Sequence, residues 1–479
     1  MSVEAFSTHL QRPLRRRHTP EHAHTGAAGG AACGDLIRIS LRVDPTSPTG
    51  RVIDAGFDAN GCGAAIAAGS ATVALVLGTP LLDAARVGVP EIEAELGGLS
   101  PAKRHAAELA ADGLARALGA AAREQAQLEP SHSRTLVAMS GGVDSAVAAL
   151  LVAENDTEAV AVTLELWADP ENDGDRSCCS AQAVRSARDL AHRLGLPHFS
   201  IDLRDEFRAG VVTPWLSEHA QGLTPNPCVR CNGEVRLDAM LDLAERLGAR
   251  ALATGHYARV QEGLLCTAVD ENKDQSYALA ALAPESLARM RFPLGSLTKP
   301  QVRELAERAG LAVAKRPDSQ DLCFLAGTSH GAFLARHGDL GDHPGEILDD
   351  DGRVLGSHRG VHTVTIGQRH GLGIGGGQPL YVIATDARAN TITVGPRERL
   401  RTNRFRVRDV TLHRDGVCVD AVKVRYRGRR VSCRIEGVTG AGAHARVDVL
   451  TPDPHERTAP GQMACLYAGN SVVGYGTIA

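Results

Sequence analysis

No run of about 18 consecutive apolar residues, the length needed for a membrane-crossing helix, occurs in the chain. The opening segment MSVEAFSTHLQRPLRRRH also lacks the apolar core of a secretory signal. Both absences predict a cytoplasmic protein with no membrane partner. Thiols stay reduced in that compartment, so the eleven irregularly placed cysteines point to chemistry or metal binding rather than to a disulfide framework. An excess of charge is missing too. The chain has 52 Lys and Arg against 56 Asp and Glu, a net charge of −4, which excludes attraction to nucleic acid through bulk charge. Only a local patch is left for that role: Arg397 to Arg434 holds thirteen basic residues and four acidic ones. What is present is ordinary globular material, 43% hydrophobic and 23% charged, in a chain of 479 residues that is too long for one core.

Residues 1–30 are basic and then rich in Gly and Ala, without apolar periodicity, and are expected to form a flexible tail. Alternation over Leu36 to Val43 and Val52 to Phe57 predicts a hairpin, followed by Ala-rich helices through Ala122. Residues 31–122 are therefore read as a small α+β domain. The polar, aperiodic segment 123–134 reads as a linker. From Thr135, apolar runs such as TLVAM and AVAVTLELW alternate with helical stretches such as SAQAVRSARDLAHRLG, the pattern of a doubly wound α/β domain. Beyond about Gly331 the texture changes to short alternating strands with frequent Gly and Pro, so the last third is mostly β.

The sharpest motif is Ser140-Gly141-Gly142-Val143-Asp144-Ser145, between the apolar strand Leu136 to Met139 and a helix that begins near Ala146. A strand, a Gly-rich turn and a helix N-terminus aim backbone N–H groups at an anion. No Lys-Ser/Thr ending follows, which excludes the Walker cradle. The loop resembles the PP-loop of ATP pyrophosphatases, which leave AMP on their substrate; Asp144 is a candidate for holding Mg²⁺ beside the phosphates. A second motif, Thr224-Pro225-Asn226-Pro227-Cys228-Val229-Arg230-Cys231-Asn232, presents two thiols on a Pro-braced loop. No second CxxC accompanies it, which argues against four-cysteine zinc. A third thiol, Cys323, follows Lys315-Arg316-Pro317, and cationic neighbours there would favour its thiolate.

The ordered set SGGVDS, TPNPxxxCN, ATGHYAR, KDQSY, SQDLCF and IGQRHGLGIGG closely resembles the tRNA-uridine 2-sulfurtransferases, or tRNA-specific 2-thiouridylases, from Thr135 to the end of the chain. The resemblance implies a PP-loop domain over 135–333, a small central domain over 334–396 and a C-terminal β barrel over 397–479. It implies that ATP is bound by Ala138, Met139, Ser140, Gly141, Gly142, Val143, Asp144, Ser145, Leu164 and Gly255. It places the target base, the wobble uridine of tRNA, against Asn226, Pro227 and Cys228, and tRNA against His256, Lys273, Asp274, Gln275, Arg425, Tyr426 and Gln462. Cys323 then carries a persulfide, and Cys231 acts as nucleophile or resolving thiol. Many members have Asp where this chain has Cys228, so Cys228, Cys231 and Cys323 together offer an iron-sulfur cluster as an alternative sulfur carrier.

Residues 31–121 resemble iron-sulfur cluster scaffolds of the IscU type through Ala32-Cys33-Gly34-Asp35, the run Gly61-Cys62-Gly63 and His105. The third scaffold cysteine is replaced by Ala106, so Cys33, Asp35, Cys62 and His105 form a mixed set of candidate metal ligands. The alternative is a degenerate scaffold kept as a docking face for a cysteine desulfurase, the expected sulfur donor. In either case residues 1–122 are expected to serve supply rather than base chemistry. Cys178-Cys179, before a helix N-cap at Ser180, and Cys266, Cys418, Cys433 and Cys465 are read as structural. Two rival functions remain from the residues alone: a PP-loop synthetase that adenylates a carboxylate, which needs no thiols, and a cluster or sulfur carrier, which leaves SGGVDS idle.

Overall fold

The computed structural model describes residues 3–29, 34–155, 158–169, 180–317, 322–325, 327–375, 378–438 and 440–479. Cys33, Cys178, Cys179 and the Ser319-Gln320-Asp321 part of the third motif lie outside the described residues.

Strands Leu36–Val43 and Val52–Asn60 form the expected antiparallel hairpin, with Ile37, Ile39, Leu41 and Val43 fully buried against helices Gly63–Val76 and Arg104–Glu124. The expected tail is not a tail. It forms helix Val3–Gln11 and a third strand, His24–Gly29, paired antiparallel with Leu36–Val43. The helix is held by Phe6 on the core and by His9 Nδ1, 2.8 Å from Ser70 Oγ. The strand HTGAAG packs through smallness: a Cβ on Gly26 would lie 2.1 Å from Gly113 O of the neighbouring helix. Packing of this kind leaves no hydrophobic signature, which is why the segment reads as a tail.

The linker also contracts. Helix Arg104–Glu124 runs into it, strand Ser131–Ala138 takes its last four residues, and Ala126 and Leu128 between them are buried. The core continues across this boundary into a five-stranded parallel sheet, in the order Met290–Arg291, Ala249–Ala253, Ser131–Ala138, Glu158–Glu165, His198–Asp202. Helix Arg104–Glu124 lies so close to the edge strand His198–Asp202 that a Cβ on Gly119 would sit 1.9 Å from Ser200 O. Ion pairs fix this contact. Arg116 grips both oxygens of Glu165 at 2.8 Å, and Asp112 takes Arg185 Nε at 2.6 Å and Arg188 Nη1 at 2.7 Å. The two units therefore form one body rather than tethered modules.

The boundary expected at 333 falls inside helix His330–Gly338, whose Phe333 packs on Trp167 and Trp215 of the α/β domain. After it come a four-stranded sheet, Val354–His358, Gly345–Leu348, Thr391–Gly395, Tyr381–Asp386, and a sheet built on Arg401–Leu412 and Gly442–Glu456 that curls into a nearly closed barrel. Hairpin Ala258–Gln261 and Leu264–Thr267 of the α/β domain joins this barrel through the Ser471–Cys266 pairing. Cys266, Cys433 and Cys465 are buried as expected, but Cys418 is exposed on a 3-10 turn. No helix among the described residues is long and apolar enough to cross a membrane.

Arg188 is 2% exposed, so removing its carboxylate partner leaves a buried charge unmet. Asp112→Ala should destabilise the chain by about 3 kcal/mol or more, seen as a lower urea midpoint. Asp83→Ala, which breaks the exposed pair with Arg86, should cost less than about 1 kcal/mol.

Candidate active site

Strand Ser131–Ala138 delivers the chain to a turn closed by its own side chains: Ser140 N donates to Ser145 Oγ at 3.1 Å, and that hydroxyl donates to Gly142 O at 3.1 Å. Gly141 has φ +71°, the left-handed region that glycine adopts without strain. Helix Val143–Glu154 starts directly behind, with its N-terminal N–H groups and dipole facing the turn. Gly255 must be glycine here, because a Cβ would lie 2.7 Å from Ser145 N. Asp144 is held by Tyr257 Oη at 2.8 Å and by Lys299 Nζ at 2.7 and 2.8 Å on its two oxygens. Sequence reasoning missed Lys299. Its only local signal is the Thr298-Lys299-Pro300 start of a helix, and the link to Asp144 is purely tertiary.

The turn opens into one cavity of about 1650 Å³, lined by Ala138, Met139, Ser140, Gly142, Val143, Asp144, Ser145, Leu164 and Gly255 and also by Cys228, Cys231 and Cys323. Gly141 shapes the turn without lining the cavity. Asn226 caps the short helix Pro227–Arg230 by accepting from Cys228 N at 3.1 Å, and Cys231 begins a π-helical turn that ends at Arg236. Cys228 is exposed to this recess, Cys231 is buried and Cys323 is half-buried. Phe324 anchors the third thiol by packing on Trp215, Phe207 and Phe333 at ring distances of 5.2, 5.9 and 5.1 Å. Arg316, expected beside Cys323, also donates to Gly141 O at 3.0 Å and so braces the PP-loop.

Burial in the recess, with Cys231 adding to it and Arg236 opposing, pushes the Cys228 thiol up to about 11. It is a poor nucleophile unless a cation or substrate displaces its proton.

Of the residues expected at tRNA, Asn226, Pro227, His256, Lys273, Asp274, Gln275, Tyr426 and Gln462 line the cavity, whereas Arg425 stands outside it and donates to Arg457 O at 3.4 Å. The Asp274 carboxylate is buried and engaged by Ala268 N, Ser276 N, Ser276 Oγ and Lys423 Nζ, the last at 3.4 Å. It ties the barrel to the α/β domain. His256 is held between Arg236 and Thr254, and burial with the neighbouring guanidinium lowers it to about 3, so it stays neutral.

The N-terminal candidates gather apart from this cavity. Ligand atoms of Asp35, Cys62 and His105 all lie within 4.8 Å of one another, close enough for a single cation. Cys62 donates to Asp35 through N at 3.0 Å and Sγ at 3.1 Å, and His105 Nε2 is 3.2 Å from Asp35 Oδ2. Burial works against the Asp35 charge, but these bonds outweigh it and hold the carboxyl below its ordinary range.

At pH 8, Cys228 should react with iodoacetamide roughly 10- to 100-fold more slowly than free cysteine, with the rate still rising above pH 10. Mass spectrometry of the labelled peptide checks this.

Four family models match the chain in series: the NifU-like N-terminal domain over 7–127, the tRNA methyl transferase HUP domain over 133–327, the tRNA methyl transferase PRC-barrel domain over 331–396 and the aminomethyltransferase beta-barrel domain over 404–478. The chain is 43% identical to the bifunctional protein NifU/MnmA of Rubrobacter xylanophilus, over 98% of this chain and 97% of that one. It is 40% identical to the tRNA-specific 2-thiouridylase MnmA of Geobacter metallireducens, over 73% of this chain and 98% of that one. It is 42% identical to the corresponding protein of Thermobifida fusca, over 72% and 95%. One cavity that joins a PP-loop to three thiols, in a chain matched end to end by such relatives, makes this protein a member of the tRNA-specific 2-thiouridylases that carry a NifU-like N-terminal domain.

Proposed function

We propose that the enzyme adenylates O2 of the wobble uridine of tRNA with ATP and replaces that oxygen with sulfur carried on Cys323. The observation that carries this reading is the single cavity lined both by Ser140, Gly142, Val143, Asp144 and Ser145 and by Cys228, Cys231 and Cys323. Backbone N–H groups of the turn and the N-terminus of helix Val143–Glu154 bind the phosphates. Asp144 faces Mg²⁺ that arrives with them, and Lys299 on the same carboxylate adds a fixed positive charge.

Uracil O2 attacks the α-phosphorus. The O2–P bond forms, pyrophosphate departs and the N3 proton passes to water. The terminal sulfur of the Cys323 persulfide then attacks C2, and AMP leaves with the C2–O2 electron pair. Cys231 attacks Cys323 Sγ, which releases 2-thiouridine and forms a Cys231–Cys323 disulfide. An external dithiol must reduce this disulfide before the next turnover. The base reaches the pocket swung out of its stack, where the Pro-braced loop and Tyr426 border the cavity. The basic barrel segment Arg425 to Arg430 carries the phosphate contacts that the overall charge of −4 does not supply.

The three cysteines also fit a second carrier. The high Cys228 thiol, a poor nucleophile, becomes a good ligand once metal displaces its proton. An iron-sulfur cluster held by Cys228, Cys231 and Cys323 would supply an open iron that carries sulfide. Asp35, Cys62 and His105 form a cation site in the NifU-like domain, which receives sulfur or clusters from a cysteine desulfurase partner.

Asp144→Ala should abolish tRNA-dependent pyrophosphate release, while Cys323→Ser should retain it and lose 2-thiouridine, as read by mass spectrometry of digested tRNA. Thiolation at the wild-type rate by Cys323→Ser would overturn this assignment.

Anaerobic reconstitution distinguishes the carriers. A cluster should bring about four irons per chain, lost in each of Cys228→Ala, Cys231→Ala and Cys323→Ala but kept in Cys62→Ala. Thiolation by the iron-free chain from a persulfide donor would leave the persulfide route alone.

A further inference from the structure

Arg236 has no assigned role, and the reading of its surroundings rests on the adenylation chemistry above. It ends the π-helical turn that begins at Cys231 and lines the cavity that the three thiols and the PP-loop share. Its Nη2 lies 3.1 Å from His256 Nε2. Arginine has no acceptor, so the imidazole must take this bond on a bare Nε2 and carry its proton on Nδ1, which donates to Thr254 Oγ1 at 2.8 Å. His256 is thus a neutral strut with a fixed tautomer. The strut is rooted at the PP-loop, because Gly255, its neighbour in the chain, packs on the backbone of Asp144 and Ser145.

What Arg236 lacks is an anion. Arg116 and Arg188 both reach carboxylates, and Lys299 and Lys423 do the same. Arg236 is half-buried, has no carboxylate within ion-pair distance among the described residues, and its Nε has no hydrogen-bond partner. Such an unpaired guanidinium is costly in an empty protein and is arranged for a guest. Its charge also reaches the CxxC, since it opposes the rise of the Cys228 thiol.

We propose that Arg236 is an anion subsite for the α-phosphate, which holds the adenylated uridine where its C2 meets the attacking sulfur. The charge balance says which step depends on it more. In the adenylated base the α-phosphate is a diester with one negative charge. When the sulfur electron pair forms the C2–S bond, the C2–O2 pair departs on AMP, a monoester whose charge grows toward two. A fixed guanidinium therefore stabilises the departing phosphate more than the bound one, and sulfur transfer gains more than adenylation. AMP leaves in the same way with either sulfur carrier.

The test uses the full chain, ATP and substrate tRNA, and compares single-turnover pyrophosphate release with 2-thiouridine formation in Arg236→Ala and Arg236→Lys. In Arg236→Ala, thiolation should fall by about 100-fold or more, pyrophosphate release should fall far less, and adenylated tRNA should accumulate. Millimolar methylguanidine should restore part of the thiolation rate, which it cannot do for a packing defect. Arg236→Lys preserves the charge without the fork and should fall in between with an unchanged melting temperature. Wild-type thiolation in Arg236→Ala would overturn the subsite, as would equal loss of both steps in both variants without rescue. Failure of the wild-type chain to release pyrophosphate with tRNA would instead remove the adenylation reading itself.

Discussion

A cation taken out of water has to meet a carboxylate close by, and this requirement organises the molecule. Arg116 with Glu165, and Arg188 with Asp112, fasten the NifU-like domain to the parallel sheet. Lys423 with Asp274 fastens the barrel to the same domain from the other side, and Lys299 with Asp144 fixes a helix to the PP-loop. Each pair joins segments far apart in the chain. Asp144, Asp274 and Lys423 of these pairs also line the cavity, so part of the active site rests on the contacts that hold the domains together.

The fusion therefore does more than keep two activities on one chain. Helix Arg104–Glu124 bears His105 of the cation triad near its start and Arg116 of the domain contact further along, about 17 Å apart at the rise of an α-helix. The Asp35, Cys62, His105 group thus lies at one end of the helix and the domain contact further along it. Removing residues 1–122 would strip the apolar cover from the edge strand His198–Asp202 and orphan Arg188. The N-terminal domain is thus part of the stability of the whole chain, contrary to the separable module that its sequence suggests.

Within the cavity, protonation matters as much as distance. Cys228 is held as a thiol and His256 as a neutral imidazole, while the Asp274 carboxylate is engaged by Lys423. Arg236, Lys273, Arg316 and the arginines of the barrel bring positive charge to the cavity lining, and Lys299 is paired with Asp144.

The sequence by itself determined the chemistry that lives in contiguous residues. Whereas Asp35, Cys62 and His105, dispersed along the chain, were legible only through a family resemblance, SGGVDS between an apolar strand and a helix and the Pro-braced CxxC were legible because turn geometry is a local property. The hairpin over Leu36–Val43 and Val52–Asn60 was legible for the same reason, through its period of two. The tertiary structure decided what smallness and distant charge encode. Gly26 and Gly119 pack by what they lack, so the first strand and the domain weld carry no hydrophobic pattern. Lys299, Lys423 and Arg236 look like ordinary surface cations in a sequence. Their roles follow from which carboxylate each one meets, or fails to meet, once water is gone, and only the fold fixes those distances.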